Sequence, residues 1–265
     1  MQLLAYIASA LIGISLGLIG GGGSILTVPV LVYLFGFDPV LATSYSLFIV
    51  GSTSLAGAVQ NFRRGLVSVR TALLFALSSV STVFLIRRFI LPLIPGTFFR
   101  IGSFTVTHNL LTLILFAFLM VVAGTAMIRG GKIDPEGRIS KKNPNLTSLL
   151  FFGTVIGIAT GLLGAGGGFL LIPILVILVG LSMKEAVGTS LLIIALNSLI
   201  GFTGDLGHFQ ISWFFLLKIT AITITGVFIG GLINNRIKGL KLKRGFGWFV
   251  LITGTGIIIK EMLLK

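Results

Sequence analysis

The sequence predicts an all-α integral membrane protein built from two inverted repeats of about four helical segments each. Three observations predict it: the apolar composition, a repeat at constant spacing, and a glycine cluster inside the first apolar segment of each half. Of the 265 residues, 55% are hydrophobic and 10% are charged. Soluble domains carry about 25% charged residues, so this chain cannot clothe a water-facing surface. Mean hydropathy is +1.12. The apolar runs are long and do not alternate, which favours helices over the roughly ten-residue strands of a membrane barrel.

Eight apolar segments lie near 2–36, 40–60, 67–86, 103–128, 148–180, 186–205, 211–234 and 245–264. The first lacks a basic start and continues past Gly23, so it reads as structure rather than a cleaved signal. A polar, basic stretch rich in Gly and Pro, "RGGKIDPEGRISKKNPN" at 129–145, separates the halves. The expected units are therefore a first transmembrane repeat at 1–128, a linker at 129–147 and a second repeat at 148–265. Cysteine is absent, which excludes disulfides, thiolate metal sites and a cysteine nucleophile. The net charge of +14 reads as loop Lys and Arg facing anionic lipid rather than a nucleic-acid surface, because no basic-aromatic platform accompanies it.

The halves match at an offset of 144 residues. Gly161 falls on Gly17, Pro173 on Pro29, Gly180 on Gly36, Ser190 on Ser46, Ser198 on Ser54 and Gly201 on Gly57. From Gly13 to Ser68 the register holds without a gap, with 21 of 56 positions identical. Shared Gly, Pro and Ser carry more weight in that count than shared aliphatic residues, which any two membrane segments share.

The first segment of each half is too long for one crossing. Residues 2–36 as a straight helix would span about 50 Å, against a hydrocarbon core of about 30 Å. Gly20, Gly21, Gly22 and Gly23 interrupt it, as Gly164, Ala165, Gly166, Gly167 and Gly168 interrupt its counterpart. Each Gly costs a helix interior about 1 kcal/mol, so each segment is expected to be two half-helices joined by an unwound turn in a re-entrant hairpin. If both broken segments enter and leave on one face, fourteen Lys and Arg fall on one side of the membrane. The other side receives five: Arg87, Arg88, Arg100, Lys260 and Lys265. The positive-inside rule then places the linker in the cytoplasm of a multi-pass protein and the termini outside. Inverted repeats with broken helices are a recurring plan of secondary transporters.

A broken helix presents free N–H groups and a positive dipole end at the start of its second half, which suits an anion. The starts are expected at Ser24 and Phe169. Close helix packing by small residues is the alternative use of such glycines. Intramembrane polar residues at matching positions add donors: Ser46 with Ser190, Ser54 with Ser198, Thr53 with Asn197, and Thr189 beside them. Each hydroxyl alone could simply bond its own helix, whereas an intramembrane Asn needs partners. Gating or coupling candidates are Asn61 and Arg64, which align with Asp205 and His208. Arg64 could equally be a positive-inside anchor, and Asp205 with His208, three apart on one helix face, could be a surface pair or a proton-coupled one. Lys218 is expected to snorkel.

"GLIGGGGSILTVPVLVYLFGFDPVLATSYSL", "GAVQNFRRGLVS" and "GLLGAGGGFLLIPILVILVGLSMKEAVGTSLL" together resemble the TauE/SafE family of membrane transporters, often called sulfite exporters. The resemblance covers nearly the whole chain. It implies transport of sulfite, sulfonates or related small organic anions across a bacterial-type cell membrane. The first half reads "ATSYSL" where the second reads "VGTSLL", which leaves the role of Tyr45 open.

Enzyme chemistry is not expected. "GVFIGG" and "GGGS" lack the lysine of a phosphate-binding loop, His108 and His208 lack metal-ligand spacing, and no cofactor motif appears. An intramembrane protease pairing Ser54 with His108 is a remote alternative. The expected partners are a small anionic substrate and the lipid bilayer, with a homo-oligomer left open. A channel built from two facing hairpins, or a partner subunit without transport of its own, are the other readings.

Overall fold

Helix starts recur at the interval read from the sequence. The computed structural model describes residues 2–93, 97–101, 104–107, ten positions within 114–128, and 146–164, 166–208, 210–234, 237 and 239–263. The first half contains α1 (Gln2–Ile19), α2 (Gly22–Tyr33), α3 (Pro39–Arg63) and α4 (Val69–Leu85). The second contains α5 (Leu146–Leu163), α6 (Gly168–Ile177), α7 (Met183–Asp205), α8 (Trp213–Asn234) and α9 (Gly239–Leu263). The pairs α1/α5, α3/α7 and α4/α8 start at 2 and 146, 39 and 183, and 69 and 213, each 144 apart. The expected linker lies outside the described residues up to 145, and its last two residues already belong to α5.

Local signals place the starts. Asp38 caps α3, its Oδ1 accepting from the Val40 N–H at 2.9 Å, and Pro39 takes the first helical position. Ser182, at the matching position, caps α7 through a capping box with Glu185. Past α4 the helix widens into a π turn, Ile86–Ile90, and ends in a short 3-10 turn, Leu91–Leu93. A small antiparallel hairpin follows, β1 (Thr97–Ile101) with β2 (Phe104–Thr107). The apolar segment expected from 103 therefore opens as a strand. Its Phe-Thr-Val-Thr run is rich in residues that suit strands, and helical positions appear only from 114.

Among the described residues five helical stretches are long and apolar enough to cross a membrane: α3, α4 continued to Leu93, α5, α7 and α8. Leu77, Phe89, Phe151 and Phe214 are among the large apolar side chains left exposed on their flanks, as a lipid-facing surface requires. The chain is a multi-pass membrane protein.

The packing obeys an exchange of halves. α1 lies along α8, and α5 lies along α4, so each first helix packs on the fourth helix of the other half. α3 and α7 pack on each other in opposite directions. A Cβ on Gly57 would touch Leu191 at 3.1 Å, and one on Gly201 would touch Leu47 at 3.4 Å. These contacts are one contact seen twice, shifted by 144. The α1–α8 seam is closed by glycine: Gly13 meets the Thr223 backbone and Gly17 meets Val227 and Gly231, with no space for a Cβ.

Gly17→Leu should therefore destabilise the chain by about 1–3 kcal/mol or more, since backbone rather than a side chain must give way. Gly256→Ala, in α9 with open space around it, should be neutral or stabilising by up to about 1 kcal/mol. Thermal unfolding in detergent checks both.

Candidate functional site

The two glycine breaks meet. α1 ends at Ile19, the chain turns at Gly20 with φ +80°, and α2 begins at Gly22. The edge-on contact of Tyr6 with Phe35, 6.1 Å between centroids, brings the start of α1 beside the end of α2. The first segment is a hairpin. In the second half Gly164, Gly166 and Gly167 all have φ near +65° before α6 begins at Gly168, and Ala165 lies outside the described residues. A Cβ on Gly21 would fall on the Gly168 backbone, and one on Gly168 would fall on Gly21. Only a residue without a side chain allows this approach.

Each half-helix starts one or two residues earlier than the sequence suggested, at Gly22 and Gly168 rather than at Ser24 and Phe169. Once the turn is complete, the remaining glycines adopt helical geometry. Ser24, fully buried, is tied to the Gly21 carbonyl at 2.6 Å. Neither N-cap, Gly21 or Gly167, supplies a side-chain hydrogen bond. The first turns of α2 and α6 carry the positive end of the helix dipole, and in α6 the Leu170 N–H already turns back to the Gly167 carbonyl at 3.1 Å.

The helices α3 and α7 frame this meeting point. Ser198 Oγ lies 3.0 Å from where a Cβ on Gly166 would stand, with Val50 of α3 and Ile194 of α7 beside it. Ser54 and Ser198, counterparts at the 144 offset, are both fully buried, and neither hydroxyl has a partner among the described residues. Ser46 and the Asn197 amide nitrogen share that condition.

The other predicted polar residues fall into two matched brackets. The hydroxyls of Thr53 and Thr223 lie 2.8 Å apart, and Ser79 donates to Asn197 Oδ1 at 2.8 Å. The Ser68 N–H donates to Thr189 Oγ1 at 2.9 Å, and the Ser212 N–H donates to the Tyr45 hydroxyl at 2.8 Å. Both pairs are related by the same shift of 144. Tyr45 does in the first half what Thr189 does in the second. Ser190 instead donates to its own helix, to the Val187 carbonyl, and lies against Gly20.

The coupling candidates separate. Asn61 is buried and bonded back to Gly57 O. Arg64 donates to Gly231 O at 3.2 Å. Asp205 sits at the other end of the α3–α7 pair, 1% exposed, and accepts from Arg87 Nη1 at 3.0 Å. α7 ends at Asp205 and the chain turns through Gly207 at φ +92°, so His208 is exposed in the turn instead of sharing a helix face with Asp205. Arg87, fully buried, was not a sequence candidate; it lies beyond the gap-free repeat and beside exposed Arg88. Lys218 stands 4.3 Å over the Tyr6 ring and donates to its hydroxyl. Among the described residues no cluster of His, Asp and Glu could hold a metal ion.

The family model for the sulfite exporter TauE/SafE matches residues 5–257. The chain belongs to the TauE/SafE family. It is similar to a probable membrane transporter protein of Xylella fastidiosa (strain Temecula1), 31% identical over 95% of this chain and 92% of the relative. A probable membrane transporter protein of Haemophilus influenzae is 25% identical over 97% and 98%. The probable membrane transporter protein YdhB of Bacillus subtilis is 24% identical over 91% and 94%. No solved structure matches. The TauE/SafE chain described here is thus a membrane transporter, not an enzyme.

Because Ser54 and Ser198 have no hydrogen-bond partner among the described residues, replacing both by Ala should change stability by under about 0.5 kcal/mol. Asn197→Leu strands the Ser79 hydroxyl and should cost about 1–3 kcal/mol. Chemical or thermal unfolding of the two purified variants separates the cases.

Proposed function

We propose that the chain is a secondary transporter of small anions, with the substrate held where the two glycine turns meet. The observation that carries this reading is the buried, unpartnered Ser198 hydroxyl against the second glycine turn, with its equally unpartnered counterpart Ser54 and two helix N-termini without side-chain caps. In this reading the Ser198 and Ser54 hydroxyls and the helix starts supply the donors, with the dipoles of α2 and α6 favouring negative charge. Burying an unpaired hydroxyl in a membrane interior has a cost that a bound anion would offset. Sulfite, sulfonates and related organic anions are the substrate class, in line with the family description. The relatives' printed names say only that they are probable membrane transporters.

The halves are read as inverted repeats. α3 and α7 are counterparts that pack antiparallel, so the exchange axis is perpendicular to them and lies in the membrane plane if they span it. Tyr6 and Phe35 mark one face, and 14 residues of α1 and its turn separate Tyr6 from Gly20. On that count the turn lies about 20 Å from the Tyr6 level, which in this reading is close to mid-membrane in a bilayer about 40 Å thick with its headgroups. Arg63, Arg64, Arg70 and Lys184 stand at the end where the 64–68 loop meets α7 and α8, through Ser68–Thr189 and Arg64–Gly231. Arg87, Arg88 and Lys218 stand at the opposite end, with Asp205 and Tyr6. The first end, with the linker, is assigned to the cytoplasm of a bacterial-type cell membrane. Alternating access then follows as a rocking of the two halves about the fixed turns.

The test is uptake of radiolabelled sulfite and a panel of sulfonates into liposomes holding the purified chain. Saturable flux with counterflow is expected. Ser54→Ala/Ser198→Ala should lower apparent affinity at least about tenfold, each lost bond to a charge being worth about 1.5–3 kcal/mol. Wild-type kinetics in the double variant would place the site elsewhere, and ohmic single-channel currents would replace the carrier with a channel.

A further inference from the structure

We propose that the Nε/Nη2 edge of Arg87 is an oxyanion-binding station at one end of the bundle, next to the second glycine turn. Arg87 sits on the π turn Ile86–Ile90 and is fully buried. A π turn inside a transmembrane helix often marks a functional site, and this one coincides with an inward Arg87 beside an exposed Arg88.

The way the guanidinium is used points to a ligand. Nη1 alone makes both described bonds, to Asp205 Oδ2 at 3.0 Å and to Thr43 Oγ1 at 3.1 Å. Nε and Nη2 have no acceptor among the described residues although they are buried. An arginine serving only as the counter-ion of Asp205 gains most by presenting its two-nitrogen fork to the carboxylate. Here Asp205 takes one nitrogen, and the planar edge that suits two oxygens of a sulfite, sulfonate or carboxylate group remains. Asp205 and Thr43 hold the plane of the guanidinium, so the fork is oriented in advance.

The station adjoins the proposed anion path. Thr43 packs directly on Gly164, whose Cβ position would fall on the Thr43 Cβ and backbone. One residue thus touches both Arg87 and the glycine turn. The arrangement also has no twin. The counterpart of Arg87 at the 144 offset is Gly231, and that of Asp205 is Asn61, both in a protein whose other brackets are duplicated. At that opposite end Arg64 bonds the Gly231 carbonyl from the end of α3. A one-sided oxyanion station makes two otherwise equivalent halves unequal, so the two ends of the path differ in their affinity for the anion. As a stage of that path the station rests on the proposed transport function, but its binding of an anion can be measured without transport.

The experiment measures the shift in unfolding temperature of the purified full chain in detergent on titration with sulfite, methanesulfonate or acetate. Chloride holds the ionic strength constant. Four proteins are compared: wild type, Ser54→Ala/Ser198→Ala, Arg87→Lys, and a quadruple variant adding Arg87→Gln/Asp205→Asn to the serine pair. The glutamine–asparagine pair removes both charges together, which avoids stranding a buried Asp205. The serine variant should keep an oxyanion-dependent rise, and the quadruple variant should lose it. Arg87→Lys keeps the charge but not the fork, and should weaken oxyanion binding about tenfold or more. An undiminished response in the quadruple variant, or unchanged affinity in Arg87→Lys, overturns the station. A response that vanishes in the serine variant alone also overturns it, while leaving the central site standing. No response to any oxyanion in any of the four removes both.

Discussion

The backbones of Gly21 and Gly168 touch, and most of the molecule is arranged to make that contact tolerable. Two helices are interrupted deep inside an apolar protein, where each freed N–H and C=O must find a partner within the chain or face a polar cavity. Carbonyls at the end of α1 are met from several directions: Leu16 by the Gly20 N–H, Ile19 by the Gly21 N–H, and Leu18 by Asn234 of α8. The Thr160 carbonyl at the end of α5 receives the Gly164 N–H. The donors at the starts of α2 and α6 receive no such side-chain caps. The starts of α2 and α6 bring the positive ends of their dipoles to this point.

Around that point the protein is built nearly twice. Thr53 with Thr223 mirrors Asn197 with Ser79, and Tyr45 on Ser212 mirrors Thr189 on Ser68. These brackets fasten the long helices α3 and α7 to α8 and α4 and to the loops before them. They hold the frame that the two hairpins enter. The duplication then fails at the ends, where Arg87 and Asp205 form a buried pair and their counterparts are Gly231 and Asn61. A buried pair of this kind is poor evidence of stability, because desolvation offsets much of its attraction. Its position next to Thr43 and Gly164 is the more informative property.

Much of this frame was legible in the chain. The offset of 144 predicted which helices correspond, because Gly, Pro and Ser mark turns and close contacts that both halves share. The glycine clusters predicted the breaks, though not their last residues, because Gly22 and Gly168 are as able to begin a helix as to precede one. Tyr45 was opaque, since a tyrosine and a threonine look unlike until their hydroxyls are seen to meet matching backbone N–H groups. Arg87 was opaque for another reason. It lies past the gap-free repeat, and a π turn shifts it inward in a way that a regular helical count does not reveal. The 104–107 strand hid inside an apolar run, where strand and helix are hard to tell apart by periodicity alone.

The central claim is that Ser54 and Ser198 face a hydrated anion site rather than a dry seam. The chain contains no cysteine, so Ser54→Cys and Ser198→Cys each introduce a sole reactive thiol. Labelling by a small membrane-impermeant thiol reagent, with and without methanesulfonate, reads the site directly. The account predicts that both thiols react and that the sulfonate slows both. Two folded variants that stay unlabelled, or that label at the same rate with saturating sulfonate, would contradict it.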